Sequence, residues 1–289
     1  MRYSVTMMML VLAGLLAGCG GKAPAPPAKS PEELVAEWRQ LAAAGRENFK
    51  PEAAAEIARL LAEGGPERLT PLLDVIAENP GVPDAKLLAV ISLAPVVGEA
   101  HQARLIGMTA PDQERITRAQ AAHLLTALVG RGQAGPDAVE KLRVLFGDPD
   151  SFVAHAALLG MLAVGDPEAV GRSLSLWEDP AVTPPERGKI VMDFPLNLVL
   201  EHLDLFSQAA LDTALPQPAR RHALYLLGTL GNASILDTLK TLAGSEQDPE
   251  LREMAVKGAA EVQRRIDEKI TVTPIGAGPI EVAPSGGGQ

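Results

Sequence analysis

The residues of this chain that could do chemistry are scattered, apart from one tight group of titratable side chains, Glu201, His202 and Asp204. On a helix, residues three apart share a face, so Glu201 and Asp204 would lie together while His202 points elsewhere. A protein-bound metal ion needs several converging ligands, so we interpret this group as a solvated helix face. The remaining histidines, which we assign to helix surfaces or grooves rather than to a metal site, are His101, His123, His155 and His222.

Motifs of common catalytic and nucleotide-binding sites do not occur in the sequence. It lacks H-E-x-x-H, the phosphate-binding G-x-x-x-x-G-K-[ST] and the nucleophile elbow G-x-S-x-G. The segment Gly276–Pro279 has no strand pattern before it and no helix pattern after it, so it does not fit a dinucleotide loop. We therefore predict that the chain is not an enzyme, and we expect no metal, cofactor or small-molecule substrate.

Cys19 is the one cysteine of the chain, and its setting is specific. Arg2 is the only charged residue before an apolar stretch that runs from Val5 to Leu16, and the segment Leu16–Cys19 reads LAGC. A positive start, a short apolar segment and small residues at a cut site are typical of a secretory signal peptide. The apolar stretch is too short to cross a bilayer, which takes about 20 residues.

The segment around Cys19 resembles the bacterial lipobox. This resemblance implies that Cys19 is acylated and becomes the first residue of the mature protein, after removal of residues 1–18. Because Gly20 follows rather than Asp, the resemblance favours the periplasmic face of the outer membrane. The alternative is an ordinary signal peptide with an incidental cysteine. Residues 19–31, rich in Pro and Ala, are predicted to be a tether.

The charge of the chain argues against nucleic acid as a partner. Lys and Arg number 26 and Asp and Glu 36, for a formal net charge of −10. Such a surface repels phosphate backbones and anionic headgroups. We expect membrane contact through the lipid rather than through a basic patch.

The body of the chain, residues 32–266, is rich in Ala and Leu with a helical period, and aromatic residues make up only 3% of the whole sequence. Ser30 suits an N-cap, with Pro31 and Glu33 in the first turn of a helix. Residues 267–289 lack helix-forming patterns, and we predict that they form a flexible tail.

One register recurs within this body. Arg220 is followed by Ala223, Leu227 and Leu230, at offsets that place small and apolar residues on one helical face. The same register is anchored, at spacings of 32 to 36 residues, on Lys86, Arg118, Ala154, Arg187, Arg220 and Arg252. Between the anchors we predict second helices, for example Glu67–Ala77, Asp137–Leu145, Glu168–Trp177 and Ser234–Leu242. A helix pair of this kind must stack on its neighbours to bury its apolar face.

The segments Ala223–Gly231 and Asp248–Arg252 carry a resemblance to HEAT repeats, especially the short form found in phycobilisome-lyase-type proteins. The resemblance implies an all-α fold, a right-handed α-α superhelix of stacked helix pairs. It also implies that the recurrent cations pair with acids of the neighbouring unit. The alternative is a basic ladder that binds a partner protein through Lys86, Arg118, Arg187, Arg220 and Arg252.

The unit that begins at Val182 departs from the register, because Asp193 and Pro195 fall where an apolar helix should run. A proline inside a helix costs about 3 kcal/mol. We favour decay of the repeat as the explanation. The alternative is a bend or cleft at Met192–Asn197 that a partner uses.

The function predicted from these observations is that of a membrane-anchored scaffold that binds another protein on a concave surface lined by the second helices. A structural part of an envelope assembly is one alternative. A lyase-like enzyme or ligand-handling protein is another, suggested by the phycobilisome-lyase resemblance alone.

Overall fold

The computed structural model describes residues 29–44, 48, 50–78 and 89–272. The predictions for the signal peptide, for Cys19, for Lys86 and for residues 273–289 lie outside these described residues.

Helices account for most of the described chain, which contains no strand. Short 3-10 turns and a helical stretch at 89–93 add to the helices. In chain order the helices are α1 (Pro31–Ala43), α2 (Pro51–Ala62), α3 (Thr70–Glu78), α4 (Gln102–Met108), α5 (Arg115–Gly130), α6 (Pro136–Phe146), α7 (Ser151–Ala163), α8 (Pro167–Glu178), α9 (Pro184–Asp193), α10 (Leu203–Leu211), α11 (Gln217–Leu230), α12 (Leu236–Ser245) and α13 (Pro249–Asp267).

The helices begin where side chains satisfy the free N–H groups of their first turns. The predicted start at Ser30 is confirmed, with a reciprocal capping box between Ser30 and Glu33. Asp150, Asp166 and Asp248 each accept hydrogen bonds from the second and third N–H groups of the helix that follows. Local sequence therefore specifies where these helices start.

The helices alternate between two kinds, which we call first and second helices. The first helices carry the sequence register and are α5, α7, α9, α11 and α13, and the second helices that accompany them are α4, α6, α8, α10 and α12. First helices pack on one another, α5 on α7 and α11 on α13, and each second helix packs on a first helix beside it. The predicted all-α superhelix of stacked helix pairs is confirmed.

The second helices differ from prediction in how they begin. The predicted helix Glu67–Ala77 is divided into a 3-10 turn, Pro66–Leu69, and α3. A 3-10 turn at Ala233–Ile235 likewise precedes α12. The predicted Asp137–Leu145 and Glu168–Trp177 match α6 and α8 to within one residue at each end.

Small residues allow the first helices to approach closely. A Cβ on Gly228 of α11 would lie 3.1 Å from the Cα of Gly258 on α13. A Cβ on Gly160 of α7 would lie 2.7 Å from the Thr126 hydroxyl of α5. Because a thin stack leaves little interior volume, Ala, Leu and Gly fill it with few aromatic side chains.

The buried apolar side chains fall into two clusters that meet at α8. One runs from Leu34 to Ala169 and the other from Trp177 to Val262, with Val170 packed against both. The direct packing that joins α5 to α7 is not repeated between α7 and α9. The row of first helices therefore opens between these two helices.

No single helix among the described residues is both long and apolar enough to cross a membrane. The α7–α8 pair passes that test when its helices are taken together, but the chain bends by 114° between them.

Candidate binding cleft between α7 and α9

The recurrent arginines are paired within the protein. Arg118 forms an ion pair with Asp148, Arg220 with Glu246, and Arg187 with Asp212 at 3.5 Å. In each pair the acid lies between the second helix of the arginine's unit and the first helix of the next unit.

The Arg220–Glu246 pair is the most deeply buried of the three, with the side chains 8% and 6% exposed. Burial works to raise the pKa of Glu246, but hydrogen bonds from the Asp248 N–H and from Arg220 outweigh it and hold this pKa below its usual range. Glu246 therefore stays charged and joins two units.

The other two anchors differ. Arg252 is exposed, and its guanidinium lies 3.4 Å from the Glu246 carbonyl oxygen. Lys86 is not among the described residues. The geometry of the three paired arginines favours structural pairing, and the alternative, a basic ladder that binds a partner protein, stays a prediction.

Pro195 sets the shape of the irregular unit. It lies outside any α-helix, and Phe194 before it adopts extended angles, φ −69° and ψ 126°. A residue that precedes proline is disfavoured in the helical region. Helix α9 therefore ends at Asp193 after 10 residues, whereas α11 and α13 run for 14 and 19.

A cleft of about 340 Å³ lies where α9 stands away from α7. Its walls are mainly apolar, and both helices contribute to them together with α8 and the turn before α9. The apolar lining residues are Leu158, Leu159, Leu162, Leu176, Ala181, Val182 and Ile190. Helix α7, with the sequence SFVAHAALLGMLA, carries apolar residues on all sides. One side is buried against its neighbours, while Leu158 and Leu159 remain only partly covered.

Charged groups border this cleft. His155 Nε2 on α7 lies 3.7 Å from the Asp193 carboxylate at the end of α9, and Lys189 and Glu186 also line the cleft. Burial raises the pKa of Asp193, while the nearby His155 and Lys189 act in the opposite direction. Among the described residues, His155 is the only salt-bridge partner of Asp193.

Sequence reasoning placed the binding surface on the second helices, whereas this cleft is lined mainly by the first helices α7 and α9. Of the predicted bend at Met192–Asn197, only Asp193 lines the cleft. Asn197 instead donates a hydrogen bond to the Ala163 carbonyl at the end of α7. The all-round apolar pattern of α7, followed one unit later by Pro195, is the signal that could have located the cleft.

The histidines and the Glu201 group do not converge. His101 is buried, and its Nε2 is hydrogen-bonded to the Pro66 carbonyl oxygen at 2.8 Å. The ring of His202 packs edge-on against Phe194, with centroids 5.3 Å apart. In the described part of the chain, no three His, Cys, Asp or Glu residues are grouped as metal ligands would be.

A comparison with models of known protein families gives no match, and a comparison with curated protein sequences gives none either. Among solved structures, the chain is similar to human deoxyhypusine hydroxylase in complex with glycerol. The identity is 15% and the TM-score 0.32, over 81% of this chain and 97% of that one.

This neighbour corrects one expectation drawn from the sequence. We expected that the chain is not an enzyme, because catalytic motifs are absent. That exclusion is withdrawn: the similar structure is that of an enzyme, and missing motifs do not exclude an activity. At this level of similarity the neighbour assigns no reaction to the present chain.

Proposed function

We propose that this chain is a lipid-anchored, HEAT-like helical repeat protein that binds a partner protein in the cleft between α7 and α9. The observation that carries the proposal is the interruption of the stack. Elsewhere an apolar face of a first helix is covered by the next first helix, but at α7 that cover is missing.

The chemistry of the cleft supports a protein partner. Exposed apolar surface bordered by polar residues is typical of interaction sites. Leu158 and Leu159 offer apolar contact, and the charges around them can orient a bound segment. Helix α7 packs on α5 and α9 packs on α11, so the two walls belong to packed helices and binding requires little ordering of the cleft.

Site-specific photocrosslinking in intact cells tests this proposal. A photoreactive amino acid at Leu159 in the cleft is compared with one at Val144, which is 62% exposed on the second helix α6. We expect one dominant protein adduct from position 159 and none from position 144. Adducts from position 144 alone would return the binding surface to the second helices, and no adduct at either position would contradict a protein partner.

The anchor is a separate part of the proposal. The lipobox-like segment at Cys19 supports acylation and placement on the periplasmic face of the outer membrane. Cells labelled with a fatty-acid analogue should label the wild-type protein, and Cys19→Ser should lose the label and leave the membrane fraction. Label that persists without Cys19 would contradict the anchor.

A further inference from the structure

We infer that the cleft between α7 and α9 takes an apolar segment of the partner that is flanked by Lys or Arg, with the partner's cation on Asp193. This inference rests on the proposed function, and it adds the chemistry of the partner.

The apolar part of the inference comes from the walls. About 340 Å³ lies at the small end of the roughly 300–1,000 Å³ range of binding pockets. Such a space suits a few apolar side chains rather than an entire additional helix. Leu159 and Ile190 face this space from opposite helices, so an inserted side chain would be covered on both sides.

The cationic part comes from the charges around the cleft. Glu186 and Asp193 line it, and Glu178 and Asp179 lie just before the lining residue Ala181. The basic side chains of the lining are Lys189 and His155. Arg187 is turned elsewhere, since it pairs with Asp212 and lies over the ring of Trp177. Counting these four acids against Lys189 and His155, the segments that form the cleft carry a net negative charge, as does the whole chain. Complementary charge selects a positive partner.

Asp193 marks the place for the cation. Its carboxylate is partly shielded and has a single ion-pair partner among the described residues, His155 at 3.7 Å. That separation is too long for a hydrogen bond. A lysine or arginine from a partner can approach more closely and donate hydrogen bonds, which strengthens the interaction in a partly desolvated site.

The same charges disfavour other apolar ligands. A free fatty acid would bring its carboxylate toward the acids at the border, and like charges repel there. A neutral apolar peptide would fill the space between the walls but would provide no cation to pair with Asp193. These two ligands are therefore the informative comparisons.

Three synthetic peptides with one shared Leu/Ala core test the inference by fluorescence anisotropy against the full-length protein. They differ only in the flanking residues, which are Lys, Gln or Glu. We expect the Lys-flanked peptide to bind about tenfold more tightly than the Gln-flanked peptide, and the Glu-flanked peptide to bind least. Asp193→Asn should remove the preference for Lys over Gln, whereas Asp237→Asn, at an exposed acid on α12, should retain it.

The results that would contradict this inference differ from those that would contradict the proposed function. Equal binding of the Lys- and Gln-flanked peptides, or a preference for Lys that survives Asp193→Asn, would overturn the cation at Asp193. Oleate that displaces the fluorescent peptides more effectively than the unlabelled Lys-flanked peptide would overturn the peptide as ligand. Failure of all three peptides to bind would also overturn the inference, while the crosslink from position 159 decides independently whether the cleft binds protein.

Discussion

The guanidinium of Arg220 on α11 is hydrogen-bonded to the carboxylate of Glu246, 26 residues later in the chain, and both side chains are almost fully buried. Arg220 also donates to the Ala210 carbonyl oxygen at 3.2 Å. Glu246 accepts from the Asp248 N–H at 2.9 Å, and Asp248 caps α13. One arginine therefore joins the end of α10, the helix α11 and the start of α13.

Arg220→Met should strongly destabilise the protein. Removing one partner of a buried ion pair leaves an uncompensated charge, which costs about 3–5 kcal/mol. Arg221→Met is the matched control, because Arg221 pairs with Glu250 at 3.0 Å on the surface and exposed pairs contribute about 0–1 kcal/mol. Urea unfolding measures both variants. Similar small decreases in the free energy of unfolding of the two variants would contradict a structural role for the Arg220–Glu246 pair.

A second pair of variants tests the close approach of first helices. Gly258→Ala would place a Cβ 3.2 Å from the Gly228 Cα, which is backbone and cannot rotate away. We expect a loss of about 1–3 kcal/mol from overpacking. Gly171→Ala, in the middle of α8 where a Cβ meets nothing within 4 Å, should instead stabilise by about 0.5–1 kcal/mol.

Thermal melts of the two glycine variants give the comparison directly. Opposite signs would show that helix propensity and helix contact are separable in this stack. A higher melting temperature in both variants would mean that α11 and α13 move apart readily. The close contact between Gly228 and Gly258 would then have no structural role.

The parts of the fold that could be predicted are those fixed by local sequence. Ser30 and Glu33 specify a helix start within one turn, and the spacing of Arg118 and Arg220 identifies equivalent positions in separate units. The pairing of these arginines with acids could be anticipated from the HEAT resemblance, because the acids recur before the next first helix.

The cleft could not be predicted from single segments. Pro195 shows that α9 must end, but not that α9 then stands away from α7. That separation depends on how α8 and the turn at Ala181 orient two units, which is a tertiary relationship. For this reason the sequence alone led us to favour decay of the repeat over a binding site. The structure adds the position of Asp193 in one cleft with Leu158 and Leu159.

His222 should make the stability of the protein sensitive to mild acid. Burial lowers its pKa below the ordinary value of 6.5. The folded state therefore disfavours the charged ring. Above pH 6.5 the ring is neutral in both states and stability is not reduced, and stability decreases as the pH falls from 6.5 through the lowered pKa. His222→Gln cannot gain this charge. Its melting temperature relative to the wild type should rise as the pH is lowered from 7.5 to 5, and a constant difference would contradict the effect.

Asp193→Asn should stabilise the fold while it weakens binding in the cleft. Burial raises the pKa of Asp193 above the ordinary value of 3.8, against the opposing effects of His155 and Lys189. In the folded state the ionised carboxylate is therefore disfavoured at neutral pH, and this penalty fades as the pH falls through the raised pKa toward 3.8. We expect Asp193→Asn to melt above the wild type at pH 7, with a difference that shrinks toward pH 4.

Glu186→Gln is the matched control, since Glu186 lines the same cleft but its pKa shift has the opposite sign. A hydrogen bond from the Thr183 hydroxyl, helped by the Thr183 N–H, lowers its pKa. Its ionised form therefore adds stability above its unfolded-state pKa, and that stability is lost as the pH falls. Glu186→Gln should melt below the wild type at pH 7, by a difference that also shrinks in acid. If both variants lowered the melting temperature, the Asp193 carboxylate would stabilise the fold. That result would contradict the prediction that Asp193 lowers the stability of the fold in exchange for a role in binding.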